Sequence, residues 1–451
     1  MIHAPSPHES DGPADPGGPD AATAAADPAA RRRRRWLRGG FVALLILPAV
    51  QMVLPVVKDP KLEGVESPLA PLSWSVAAWS DGSLAAALDV RVRRAIGFRP
   101  VSVRLVNQAR LAWHDPRCTL DNGEVFIGKQ NWLFGRPYLD PYTNPARRLT
   151  DEDLRGFVRE LRSLQDRLAD RGTTFVLAIS PSKCELYPEY LPDDVVEVRR
   201  RNDCRRDYDA FVELLAEEGV RVVDGPAIFR RLKSTHGEHL FSRTGVHWSY
   251  HGCLLFWREL LAVVNAASGL GIPIPEIVAV ERDRARHADH DLGKMVNAFV
   301  PPGGRPVMGY PVVRVDPLPP EQRPGFLFVG SSFCWTLMDA LYVSGSGRDV
   351  DLFYYNRTHY RGPDGAAPLE PGARFPRHRV CSLEAEAPDW RRALLEKDVV
   401  VLEMLEFMLP QKGWGFCGPA LGALEQLADV PARRPPLARI AEGRDDASSV
   451  R

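Results

Sequence analysis

Apolar positions recur at helical spacing after Thr150: Leu154, Phe157, Val158, Leu161, Leu164 and Leu168. Residues three and four apart share a helix face, so this stripe predicts an amphipathic helix packed on a core. Thr150 and Asp153 read as a capping box, with Asp in place of the usual Glu, and Gly172 as the stop. The pattern then changes. TTFVLAIS at 173–180 is a short, continuous apolar run, as expected of a strand covered on both faces. The alternation repeats with a helix over about 205–218, the strand RVVD at 221–224 and a helix over about 250–265. Further apolar strands follow at 326–330 (FLFVG), 350–355 (VDLFYY) and 398–404 (DVVVLEM). Strands alternating with helices predict an α/β domain built on a mostly parallel sheet.

The ends of the chain follow other rules. Residues 1–30 are rich in Ala, Pro, Asp and Gly and carry few large apolar groups, so disorder is expected over 1–35. Arg31 to Arg35 form an unbroken basic run. WLRGGFVALLILPAVQMVLPVV, residues 36–57, comes next and is free of charge from Gly39 to Val57. At ~1.5 Å per residue a helix of this length crosses a hydrocarbon core of roughly 30 Å. About forty residues precede the apolar run and no A-x-A site directly follows it, which disfavours a cleaved signal peptide. The basic run disfavours a buried core helix. The reading is one transmembrane signal anchor over 36–57, with residues 1–35 cytoplasmic and the rest extracytoplasmic, periplasmic or at the cell surface. Residues 58–120 form a lead-in, 121–431 the α/β domain, and 432–451 a disordered tail.

Lys+Arg and Asp+Glu each number 58, so no global basic field points to nucleic acid. Seven cysteines form no C-x-x-C pair and share no ligand spacing with histidine, so neither a metal site nor any cofactor is expected. Cys184 and Cys204 flank a compact segment, leaving a disulfide and two separate thiols both open.

Two segments carry chemistry. In FLFVGSSFCW, 326–335, a buried strand runs into a Gly-Ser-Ser turn and then a helix. Carboxyl ends of parallel strands carry sites, and N–H groups at a helix start can stabilise an oxyanion. A serine there also serves as a plain helix cap. In FSRTGVHWSYHG, 241–252, His247 precedes a predicted helix, and a nucleophilic serine needs such a base. His251 could share a helix face with His247, but no third metal ligand accompanies them.

Several blocks resemble the alginate O-acetylation family, whose domain is SGNH-hydrolase-like. EVFIGKQNWLF (124–134), SPSKCELYPEYLP (180–192), TGVHWSYHG (244–252), DHDLGKM (289–295), VGSSF (329–333) and DVVVLEMLEFML (398–409) are similar to the family's blocks and stand in its order. The resemblance implies a three-layer SGNH-like fold preceded by the membrane helix. It implies Ser332 as nucleophile and His247 as base in acetyl transfer to an exported polysaccharide through an acetyl-serine. A membrane-bound O-acyltransferase is the implied acetyl donor. Gly330, Asn356 and Lys183 are candidates for oxyanion or substrate contact. The family's third triad member, an Asp two residues before the His, is Gly245 here. Asp291 is a candidate to orient His247 instead. An acetyl esterase, or a catalytically impaired glycan-binding scaffold of an export machine, are the alternatives.

Overall fold

The computed structural model describes residues 28–64, 69–113, 125–363 and 372–431. Of the segments expected to be disordered, 1–27 and 432–451 lie outside the described residues, as does Cys118, whereas residues 28–35 are helical. The chain divides into two compact units, one within 1–60 and 67–101 and the other within 61–66 and 102–451. The first contains a helix over Pro28–Val53. Its span Arg31–Val53 is long and apolar enough to cross a membrane, by length and composition. Large apolar side chains such as Phe41, Leu44 and Leu45 stand exposed along it.

Among the described residues the second unit holds eleven strands: β1 (Val125–Ile127), β2 (Leu133–Gly135), β3 (Thr174–Ser180), β4 (Val222–Asp224), β5 (Glu276–Arg284), β6 (Val307–Arg314), β7 (Phe326–Gly330), β8 (Val350–Tyr354), β9 (Thr358–Arg361), β10 (His378–Ser382) and β11 (Val399–Leu405). Seven of them form one sheet in the order β10-β9-β8-β7-β11-β3-β4. The five strands from β8 to β4 are parallel; at one edge β9 pairs antiparallel with β8, and β10 antiparallel with β9. The apolar runs read from the sequence are these parallel strands, because a strand buried on both faces has no polar side to show.

Alternate side chains of one strand enter different cores. Val176 and Ala178 of β3 join the cluster of Trp257, Leu260 and Leu341, on the helices Tyr250–Ser268 and Cys334–Val343. Phe175, Leu177 and Ile179 join Leu154, Phe157 and Leu161 on the helix Asp151–Ala169. The result is three layers with the sheet in the middle. The Asp151–Ala169 helix starts as expected: Thr150 Oγ1 accepts from the Asp153 N–H at 3.1 Å, and Asp153 accepts from the Thr150 N–H at 3.3 Å. Gly172 follows in the left-handed conformation at φ +76°, which costs a glycine little. Cys184 and Cys204 do not pair; the first thiol is buried and the second exposed.

Candidate active site

β7 fills its five positions with buried residues and ends at Gly330, so the next residues emerge at the carboxyl edge of the sheet. Gly330 is there for want of room: a Cβ on it would lie 2.6 Å from Glu403 Oε2 and 2.7 Å from Cys334 Sγ. Glu403, on neighbouring β11, is buried, and burial raises its carboxyl above the usual range. It accepts the Ser331 N–H at 2.7 Å, while Ser331 Oγ accepts from the Phe333 N–H at 3.2 Å. Both ends of Ser331 are thus engaged in the turn, which leaves the Ser332 hydroxyl as its functional group.

His247 arrives from the loop before the helix Tyr250–Ser268, whose N-cap Ser249 accepts from the Gly252 N–H at 3.0 Å. Its Nε2 lies 2.7 Å from Ser332 Oγ, across 85 residues of sequence. Its Nδ1 lies 2.6 Å from Asp291 Oδ2. With the Nδ1–H tautomer, the imidazole donates to Asp291 and accepts from Ser332. The other carboxylate oxygen of Asp291 accepts from the Val246 and Leu292 N–H groups at 2.9 and 2.6 Å. His247 is 15% and Asp291 25% exposed at the side chain, so the site is lined yet open to a reactant. The Phe333 ring packs on the imidazole at 4.9 Å.

Gly245 cannot house the missing carboxylate. A Cβ there would lie 2.4 Å from the Ala288 carbonyl oxygen. The two loops touch backbone to backbone, and this close approach carries Asp291 to the imidazole. They are tied together elsewhere too. Thr244 Oγ1 donates to the Asp289 carbonyl at 3.0 Å, and the Gly293 N–H donates to the Thr244 carbonyl at 3.0 Å.

The other candidates sort differently. Lys183, expected to meet substrate or oxyanion, is buried. Its ammonium donates to the carbonyls of Leu133 and Ser242 at 2.6 Å, Gly245 at 2.8 Å and Arg243 at 3.2 Å. Burial lowers its pKa to about 7. It is the post around which the histidine loop folds. Asn356 stands in a left-handed turn at φ +51°, and its amide donates to the Trp414 carbonyl at 3.2 Å. Its neighbour Tyr355 is what meets the serine. Burial raises the Tyr355 phenol, and hydrogen bonding with the Ser332 hydroxyl and amide offsets part of that rise. The sequence held one signal for Tyr355: it ends the apolar strand next to the nucleophile strand. His251 is buried, with its ring 5.9 Å from that of His236. Among the described residues no group of three or more His, Cys, Asp or Glu could hold a metal.

This constellation can pass a proton from a serine to an imidazole whose charge a carboxylate supports. Residues 125–317 match the family described as SGNH hydrolase-like domain, acetyltransferase AlgX. That segment includes His247 and Asp291 and stops short of Ser332. The chain is 27% identical over 168 residues to a probable alginate O-acetylase AlgJ of Pseudomonas fluorescens, covering 37% of this chain and 40% of the relative. It is 28% identical over 167 residues to the protein of the same description from Pseudomonas aeruginosa, covering 37% and 39%. It thus spans about two fifths of the length of these curated relatives. The solved O-acetyltransferase domain of Pseudomonas putida AlgJ aligns with 67% of this chain and 98% of its own, at 22% identity and a TM-score of 0.39. The segment 125–317 is thus similar to the SGNH hydrolase-like domain described for the acetyltransferase AlgX.

Proposed function

We propose that this chain is an O-acetyltransferase that acetylates an exported polysaccharide through an acetyl-Ser332 intermediate. The observation that carries the reading is the continuous line Ser332 Oγ, His247, Asp291, with contacts of 2.7 and 2.6 Å. His247 Nε2 takes the hydroxyl proton as Ser332 Oγ bonds to the acetyl carbonyl carbon. The oxyanion forms against the Ser332 N–H and the Tyr355 phenol. Its collapse breaks the bond to the donor's leaving group, which takes the proton from the imidazolium. A sugar hydroxyl then gives its proton to Nε2 and attacks the acetyl-serine. Collapse releases the sugar acetate and returns the proton to Ser332. Asp291 holds Nε2 toward the serine and supports the imidazolium at each half-reaction. With water in place of the sugar, the same residues would make an acetyl esterase.

Arg31 to Arg35, ahead of the apolar helix, support a single-pass anchor with the acetylating domain outside the cytoplasm. A membrane-bound O-acyltransferase would then be the donor across the bilayer. The test is intact-mass analysis after incubation with an activated acetyl ester. One acetyl adduct on the wild type, absent from folded Ser332→Ala and His247→Ala, is the expected result. An adduct that survives Ser332→Ala, or none on the wild type, sinks the acetyl-serine and favours a glycan-binding scaffold.

A further inference from the structure

β7 carries Ser332 at its carboxyl end, and β11 and β3 lie beside it in register, Leu402 opposite Val329 and Leu405 opposite Ser180. Just past the ends of β11 and β3 a cleft opens, with about 500 Å³ of space including the solvent at its mouth. Strand spacing puts β3 about 10 Å from β7. Tyr138, Tyr142 and Phe407 are aromatic walls of this cleft. Tyr138 stacks edge-on against Phe407 at 5.1 Å. It also ties the cleft to the catalytic loop: a Cβ on Gly135 would meet Tyr138 at 3.1 Å and Val246, the neighbour of His247, at 3.2 Å.

The polar lining includes a carboxyl with one oxygen that lacks a hydrogen-bond donor. Glu406 is 4% exposed. One of its oxygens accepts the Ser182 N–H at 2.6 Å, and the other, Oε2, has no hydrogen-bond partner. Its nearest cation, Arg206, stands 3.6 Å from Oε2 and is already held by Glu185 at 3.1 Å and Asp209 at 3.0 Å. Asp207, also in the lining, is engaged by the Arg148 and Leu149 N–H groups. Arg148 itself is exposed, where water screens its charge.

We infer that this cleft is a glycan subsite that takes an uncharged sugar residue of the acceptor chain and disfavours a uronate. The inference rests on the acetyl-transfer reading for its place in the reaction, and names the acceptor's class. Sugar rings present flat C–H faces to aromatic walls and hydroxyl donors to a carboxylate. Glu406 Oε2, buried in the wall of the cleft, is an acceptor without a donor. A uronate would bring a further carboxylate beside Glu185, Asp207 and Glu406, and the half-buried Arg206 guanidinium is already shared among carboxylates. Burial and the charge of Glu185 have already pushed Glu406 up to about 7.

The experiment is calorimetric titration of Ser332→Ala, which cannot turn over, with hexasaccharides of a neutral β-glucan, a galactan and a mannan, and with a hexauronate. At least one neutral hexasaccharide should bind about tenfold or more tightly than the hexauronate. Adding Phe407→Ala or Glu406→Ala should weaken that binding about tenfold. Glu406→Gln, which keeps the shape and removes the anion, should narrow the preference against the hexauronate. The inference is overturned if the hexauronate binds as tightly as the neutral chains, or if no neutral chain binds. It is equally overturned if the cleft variants, folded by circular dichroism, bind unchanged. Retained neutral binding in a protein that forms no acetyl adduct would sink acetyl transfer and leave the subsite standing.

Discussion

The nucleophile turn and the histidine loop reach the same site by opposite routes. Ser332 is placed by ten consecutive residues: an apolar strand, a glycine with no room for a side chain, and a helix start. His247 is placed by contacts with distant segments. Lys183 gathers four carbonyls of its loop and of β2, and Asp291 reaches its ring from 44 residues away. A turn that is local in sequence tolerates change elsewhere. A loop assembled from afar depends on each of its ties.

Substitutions can break that contrast in graded ways. Asp291→Asn should give the largest effect, a fall in kcat of up to about 10⁴ with an unchanged melting temperature, because the amide favours the wrong imidazole tautomer. Steady-state acetyl-ester turnover measures it; a fall under threefold would mean that another group orients His247. Tyr355→Phe should lower kcat about 10²-fold, the usual loss for one oxyanion donor. Its effect should be on kcat rather than KM, and a pure KM change would place the phenol on the substrate instead. Gly245→Asp should destabilise the fold by about 2 kcal/mol or more and raise turnover on no substrate, since its Cβ meets a carbonyl at 2.4 Å. Urea denaturation checks this. A stable, faster variant would show that the loops can part.

The smallest effect concerns pH. Asp289, in the loop that carries Asp291, is buried, and burial pushes its carboxyl up to about 8. Between the ordinary carboxylate value and that point, the folded chain holds a proton that the unfolded chain has released. Its contribution to stability therefore falls as pH rises from about 4 to about 8. Asp289→Asn should flatten this part of the profile while matching the wild type near pH 4. Melting curves across pH test it, and an unaltered slope would assign the dependence elsewhere.

The same contrast explains what the sequence could tell. The parallel strands were legible because burial on both faces writes itself as runs such as FLFVG and DVVVLEM. The helix after Thr150 was legible from its stripe and its cap. The paired strands β5 and β6 escaped notice. Most of β5 is exposed, so its nine residues lack the apolar run that marks β7. Ser332 and His247 stood out because serine turns and histidine loops follow the family's order of blocks. Asp291 could be named as a candidate but not assigned, since a glycine at 245 says that something comes close without saying what. Lys183 misled for a related reason. A lysine between Ser182 and Cys184 reads as a surface residue unless the four carbonyls that converge on it are known.

The order of the strands has a consequence for synthesis. β11 is the last strand among the described residues, yet it lies in the middle of the sheet, between β7 and β3. Until residues 399–405 are available, the sheet is two separate pieces, and the turn at Ser331 lacks the Glu403 oxygen that fixes its amide. A chain that emerges from its N-terminus first therefore carries the serine, the histidine and the aspartate long before it can align them. The catalytic line can close only after residues 399–405 have joined β7 to β3.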